Sequence, residues 1–141
     1  MRPIGYWLNR TDRALTTRMD AMLAEDGLTR LGWQVLNAVH DDPRAGDAAV
    51  AGLLAANATP AALAGAVEAL LADGRLTRPA PGALALTAAG RDCLTEVGAK
   101  VRAFRRLAAE GVPDEDYRTA IAVLERIARN VEAMGEGADR R

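Results

Sequence analysis

Helix-breaking residues recur along this chain at intervals that leave room for helices almost everywhere and for strands in one place only. Gly27, the run Asp41-Asp42-Pro43-Arg44-Ala45-Gly46, Asn57-Ala58-Thr59-Pro60, Asp73-Gly74, Pro79-Ala80-Pro81-Gly82, Gly111 and Pro113 all carry turn or capping chemistry. Glycine supplies left-handed backbone, proline fixes φ and removes a donor, and Thr, Asp and Asn side chains satisfy the free N–H groups at a helix start. The intervals between these breaks set the element lengths. Of the residues, 50% are hydrophobic while 4% are aromatic, which favours an aliphatic core carried on helices.

From Ile4 to Leu23 the large apolar residues Ile4, Trp7, Leu8, Leu15, Met19, Met22 and Leu23 fall mostly at helical spacing, which predicts one long amphipathic helix. Thr29 is placed to cap a second helix with Trp33, Leu36 and Val39 as its inward stripe. Asp47 is expected to cap a short third helix carrying Val50, Leu53 and Leu54. Thr59 as cap and Pro60 at the first helical position open a fourth, with Leu63, Val67, Leu70 and Leu71 on one side and a stop at Asp73-Gly74. Arg75–Arg78 and Ala83–Thr87 are each short enough for strands, and Pro79–Gly82 between them makes a hairpin turn.

Thr87 then caps a fifth helix that runs through Cys93, Leu94, Val97, Val101, Phe104 and Leu107 until Gly111. Pro113 opens a sixth, with Asp114, Glu115 and Asp116 near its positive end and Tyr117, Ile121, Leu124, Ile127 and Val131 as its apolar stripe. The tail after Met134 is expected to fray. The terminal helices carry apolar stripes longer than the central unit can cover, so the unburied part needs either folding back or a second copy of the chain, and a homodimer is the expectation.

The chain of 141 residues is read as one domain spanning 1–141. A formal net charge of -1 and a pI near 5.8 give no overall attraction to nucleic acid, so DNA binding has to be argued locally. Cys93 and His40 are the only residues of their types, which excludes a disulfide within the chain and a Cys/His metal site. No signal-peptide layout opens the sequence, and no apolar run reaches the roughly 18 to 20 residues of a membrane span. A cytoplasmic protein without membrane contact is the expectation. No Gly-rich phosphate loop, GxSxG elbow, HExxH pair or EF-hand pattern occurs, so no catalytic residue, metal or cofactor is assigned.

Two residues invite chemistry but have plainer readings. His40 beside Asp41 and Asp42 has the elements of a general base, yet a histidine at a helix end facing the C-terminal dipole is the simpler reading. Cys93 lies near a helix N-terminus, where thiolate is favoured, yet a buried structural thiol is preferred. The VRAFRR segment of the fifth helix reads as a solvated face.

Segment by segment, the chain resembles the MarR family of bacterial regulators. IGYWLNRTDRALTTRMDAMLAEDGLTRLGWQVLNAV is similar to that family's first two helices, ALAGAVEALLADGRLTR to its recognition helix, glycine turn and first wing strand, and LALTAAGRDCL to its wing exit, with Leu86-Thr87 and Gly90 in place. The resemblance implies a mainly α (α+β) winged helix-turn-helix: six helices and a short β-hairpin wing, with a winged unit at 28–87 and dimerisation helices at 1–27 and 88–141. It also implies two winged units one duplex turn apart on double-stranded DNA, and repression relieved by a small molecule. In relatives the effector sits between the first, second and fifth helices. Here that brings Trp7, Asn9, Arg10, Arg13, Trp33, Asn37 and His40 into its neighbourhood, a set suited to an anionic aromatic ligand.

The residues of the recognition unit depart from that pattern. Turning Leu63, Val67, Leu70 and Leu71 inward leaves Ala61, Ala62, Gly65, Glu68, Ala69 and Ala72 outward. Asn57 and Thr59 are the polar readers, Ala62 can touch a thymine methyl, Glu68 can accept from a cytosine amine, and Arg75 and Arg78 flank the wing. Between Asp41 and Thr87 the arginines Arg44, Arg75 and Arg78 face Asp41, Asp42, Asp47, Glu68 and Asp73, so the unit is net acidic. Two functions follow from the sequence: a ligand-responsive DNA-binding regulator, or a scaffold that has lost DNA binding and uses its pocket as a small-molecule binder or enzyme.

Overall fold

The computed structural model describes residues Met1–Asp139. Six helices and one antiparallel hairpin follow in the order α1 (Ile4–Glu25), α2 (Arg30–Asp41), α3 (Asp47–Leu54), α4 (Pro60–Ala72), β1 (Leu76–Thr77), β2 (Ala85–Leu86), α5 (Ala88–Ala108) and α6 (Asp114–Asp139). This is the expected winged helix-turn-helix order. The chain divides into two compact units, Met1–Val101 and the residues from Arg102 onward.

The caps explain the boundaries in the first unit. Thr29 Oγ1 accepts from the Gly32 N–H at 3.0 Å, Thr59 Oγ1 from Ala62 N–H at 3.2 Å, and Thr87 Oγ1 from Gly90 N–H at 3.0 Å. Each bond satisfies a donor that has no partner within its helix. α1 and α4 end alike: Gly27 and Gly74 take φ of 70° and 74°, and the N–H groups of Leu28 and Arg75 close onto the carbonyls of Leu23 and Leu70. Only glycine adopts this left-handed turn without strain, so these glycines fix where both helices stop.

The core lies among α2, α3, α4, the hairpin and the first turns of α5, joined by the last turns of α1. Leu23, Val35, Leu36, Val50 and Val97 are its most deeply buried large side chains, and among the described residues no polar or charged residue is buried with them. Each such aliphatic side chain contributes roughly 1.5–3 kcal/mol by leaving water. Trp33 is half-buried at the edge of this core, with Val35 and Ala38 joining Leu36 and Val39 on the inward face of α2. Leu76 on β1 and Leu84 beside β2 carry the hairpin onto the same core.

Several sequence-based expectations are corrected. Gly46, not Asp47, precedes α3 as its cap, because the Asp47 side chain turns instead to Arg78 at 2.5 Å. Leu53 stands 67% exposed, since the buried face of α3 is supplied by Val50 and Leu54. The strands hold two residues each rather than four or five; beyond the Leu76–Leu86 and Thr77–Ala85 pairs, Pro79 and the tight turn at Gly82 end the ladder. α6 continues past Met134 to Asp139 where fraying was expected, helped by the helix formers Glu132, Ala133, Met134, Glu136 and Ala138 around Gly135 and Gly137; the last two residues of that tail lie outside the described residues.

In the second unit, α6 opens with Asp114, Glu115 and Asp116 in its first turn, and Arg129 pairs with Glu125 one turn before it. Its stripe of Tyr117, Ile121, Ile127, Val131 and Met134 is exposed, with Leu124 half-buried. Among the described residues no helix is long and apolar enough to cross a membrane.

Candidate nucleic-acid interface

α4 is positioned by its own inward stripe. Leu63, Val67 and Leu70 are buried, so the helix is held against α2 and α3 and its other side is turned to solvent. Ala61, Ala62, Gly65, Glu68, Ala69 and Ala72 are all exposed there. In helix-turn-helix proteins that bind DNA, the outward face of such a helix enters the major groove, where base edges present donors, acceptors and thymine methyls. Here that face is methyl groups, a glycine and the carboxylate of Glu68.

Asn57 lies exposed in the turn between α3 and α4, its backbone N–H held by the Leu54 carbonyl at 2.9 Å. Thr59 is exposed as well, though its hydroxyl oxygen is used to cap α4. These two polar residues and Ala62 therefore sit together at the N-terminal end of α4, the end that carries the helix's positive dipole.

The two wing arginines are both engaged within the chain. Arg75 is half-buried and its Nη2 donates to the carbonyl of Asp26 at 2.5 Å, while its Nη1 is buried without a partner. Arg78 donates through Nη1 to Asp47 at 2.5 Å, and its Nη2 lies 3.9 Å from Glu68. The bond to Asp47 raises the Arg78 guanidinium above its ordinary pKa, with Glu68 adding to the effect. Sequence patterning missed the role of Asp47, because a first-turn aspartate reads as a cap and its partner is 31 positions away.

The residues grouped as a ligand neighbourhood divide between two places. Trp7, Asn9, Arg10 and Arg13 are exposed on the first turns of α1. Tyr6 and Trp7 meet edge to face at 5.2 Å, and the guanidinium of Arg10 lies 5.4 Å from the Trp7 ring. Trp33 and Asn37 are half-buried on α2, with the Asn37 amide donating to the Trp33 carbonyl at 2.9 Å, and His40 is exposed in the last turn. Among the described residues of one chain, no hydrogen bond or ring contact joins the α1 set to the α2 set.

α1 reaches the core through Met19, Met22 and Leu23 near its C-terminal end. That end is further tied down by Asp26, whose carboxylate accepts from Lys100 at 2.8 Å. The bond raises the Lys100 ammonium above its usual pKa. Cys93 is buried beside this junction, and desolvation pushes its thiol pKa up, against the opposing pull of Arg75.

A helix-turn-helix followed by a two-stranded wing and packed on a long preceding helix defines a winged-helix protein. Its fold is of the MarR type. No protein-family model matches the sequence, and no curated protein matches it significantly. Solved structures do. A Mycobacterium tuberculosis MarR-family protein in complex with DNA superposes with a TM-score of 0.73 at 28% identity, covering 90% of this chain and 98% of that one. A Mycobacterium tuberculosis MarR-family structure with salicylic acid gives a TM-score of 0.65 at 29% identity over 89% and 98% of the two chains. BpsR of Bordetella bronchiseptica, whose DNA binding is regulated by 6-hydroxynicotinic acid, shares the fold with a TM-score of 0.73 at 19% identity, over 90% and 94%.

Proposed function

We propose that this chain is a ligand-responsive, DNA-binding transcriptional regulator of MarR type that acts in the cytoplasm as a homodimer. Residues 28–87 form the winged unit, and residues 1–27 and 88–141 supply the dimerisation helices. The observation that carries this reading is an α4 whose inward stripe is fully used while its outward face is free, in a fold shared with a structure solved on DNA. Asn57, Thr59, Ala62 and Glu68 face the bases, with Arg75 and Arg78 at the wing.

Homodimerisation is supported by the exposed apolar stripes at both ends of the chain: Ile4, Trp7, Leu8 and Leu15 on α1, and Tyr117, Ile121, Ile127 and Val131 on α6. The effector is an aromatic anion, bound among Trp7, Asn9, Arg10, Arg13, Trp33, Asn37 and His40. Arginine beside tryptophan provides an ion pair at one end and a stacking face at the other. Salicylic acid, bound in one structural neighbour, and 6-hydroxynicotinic acid, which regulates DNA binding by another, are both aromatic acids.

Titration of fluorescent duplexes drawn from the DNA flanking the gene tests the reading. A regulator shows saturable binding that prefers one sequence over its scramble, weakens with salt and is reversed by salicylate. The near absence of positive charge on the α4 face favours one other reading, a pocket protein without DNA function. Salicylate binding together with no duplex binding at low salt selects it and overturns the regulator.

A further inference from the structure

The turn of the hairpin is held against the start of α3. The backbones of Gly46 and Ala83 form an antiparallel bridge, and the Asp47 N–H donates to the Gly82 carbonyl at 3.0 Å. A side-chain carbon at Gly46 would stand 2.1 Å from that same carbonyl, so this approach of α3 to the hairpin turn requires glycine. Pinned there, Asp47 has its carboxylate against Arg78, whose Nη1 also lies 3.5 Å from the Ala83 carbonyl. Glu68, projecting from the outward face of α4, approaches the same guanidinium from the other side at 3.9 Å.

The arginines of the unit are few. Arg75 is spent on the Asp26 carbonyl, and Arg78 on two carboxylates. A DNA phosphate is a third anion of the same kind, and it competes for the same N–H groups of Arg78. All three side chains of the cluster are partly open to solvent, so exchange of one anion for another needs no unfolding.

We propose that Asp47, assisted by Glu68, is an internal competitor for DNA phosphate at Arg78, an autoinhibitory clamp that sets the affinity of the winged unit. The proposal rests on the DNA-binding reading above. It assigns Asp47 a role outside the groove-facing residues: it acts through Arg78 and touches no base. Release of Arg78 adds one phosphate contact per protomer.

The test compares wild type, Asp47→Asn, Glu68→Gln, Arg78→Ala and the Asp47→Asn/Arg78→Ala pair as full-length chains on one duplex, across a salt series. Circular dichroism and thermal melting confirm that each variant folds. Asp47→Asn tightens binding by roughly three- to tenfold and steepens the salt dependence by about 0.9 per protomer, as expected for one further neutralised phosphate. Glu68→Gln has a smaller effect, because its oxygen is farther away. The gain from Asp47→Asn disappears in the Arg78→Ala background.

An Asp47→Asn chain that binds as wild type does overturns the clamp and leaves the regulator reading intact. A gain that survives Arg78→Ala also overturns it, since the carboxylate would then act by general repulsion. Binding by Asp47→Asn where wild type shows none supports the clamp in its strongest form. No binding by any chain at low salt contradicts the regulator reading itself, and the clamp falls with it.

Discussion

Arg75 reaches back across 49 positions to donate to the carbonyl of Asp26, at 2.5 Å, and so ties the start of the wing to the end of α1. Its Nη1 is buried without a partner, which shows how far the guanidinium has been drawn inside. A residue so placed stabilises the junction first. Arg75→Ala is expected to lower unfolding stability by about 1–3 kcal/mol, measured by urea denaturation. A variant of unchanged stability with a flatter salt dependence on DNA would instead make Arg75 a phosphate contact.

Gly90 and Gly52 are both helical glycines, yet substitution is expected to act in opposite directions. A side-chain carbon at Gly90 would lie 2.1 Å from the Arg75 carbonyl, whereas at Gly52 it would meet nothing within 4 Å. Alanine raises helix propensity at either site by about 1 kcal/mol. At Gly90 the backbone overlap outweighs that gain and costs roughly 2 kcal/mol or more, while Gly52→Ala stabilises. Thermal melts of the two variants check the signs, and a Gly90→Ala chain that melts at or above the wild-type temperature would contradict the close approach of α5 to the wing.

Burial raises the pKa of Cys93 from the ordinary 9.0, so the folded chain holds the thiol proton more tightly than the unfolded chain does. The unfolded thiol ionises first as pH rises. Stability therefore falls as pH climbs above about 9, and the loss levels off only above the raised folded value. Cys93→Ala is expected to lack this component in denaturation curves taken at about pH 8 and pH 10. Alkylation of native Cys93 at neutral pH should likewise be slow, and fast labelling would return the thiol to the class of reactive sensors.

The exposed stripes on α1 and α6 predict that Ile121→Glu, at a position 50% exposed in the single chain, leaves the fold intact and breaks self-association. Sedimentation velocity should find the wild type as a dimer and the variant as a monomer at equal concentration. A wild type that sediments as a monomer removes the homodimer from the account.

Element order was legible in the sequence because it depends on local chemistry. Thr29, Thr59 and Thr87 cap the helices where their spacing placed them, and Gly27 and Gly74 close α1 and α4 in the left-handed turn. The bare outward face of α4 was legible too, since helical periodicity alone separates Leu63, Val67 and Leu70 from Ala62 and Glu68. The long-range polar contacts were not. Asp47 to Arg78 and Arg75 to Asp26 join residues 31 and 49 apart, and no local pattern distinguishes an aspartate that caps from one that clamps. Leu53 misled for a related reason: on a helix as short as α3, which apolar residues turn inward is decided by the packing of α2 and α4.

The most direct measurement is the mass of the complex formed with a duplex at low salt, by sedimentation equilibrium or mass photometry, for a flanking-region sequence and its scramble. The account predicts two chains on each preferred duplex, with the scramble bound more weakly and both complexes lost as salt rises. One chain per duplex, or equal binding to both sequences, or no complex at all, would contradict it.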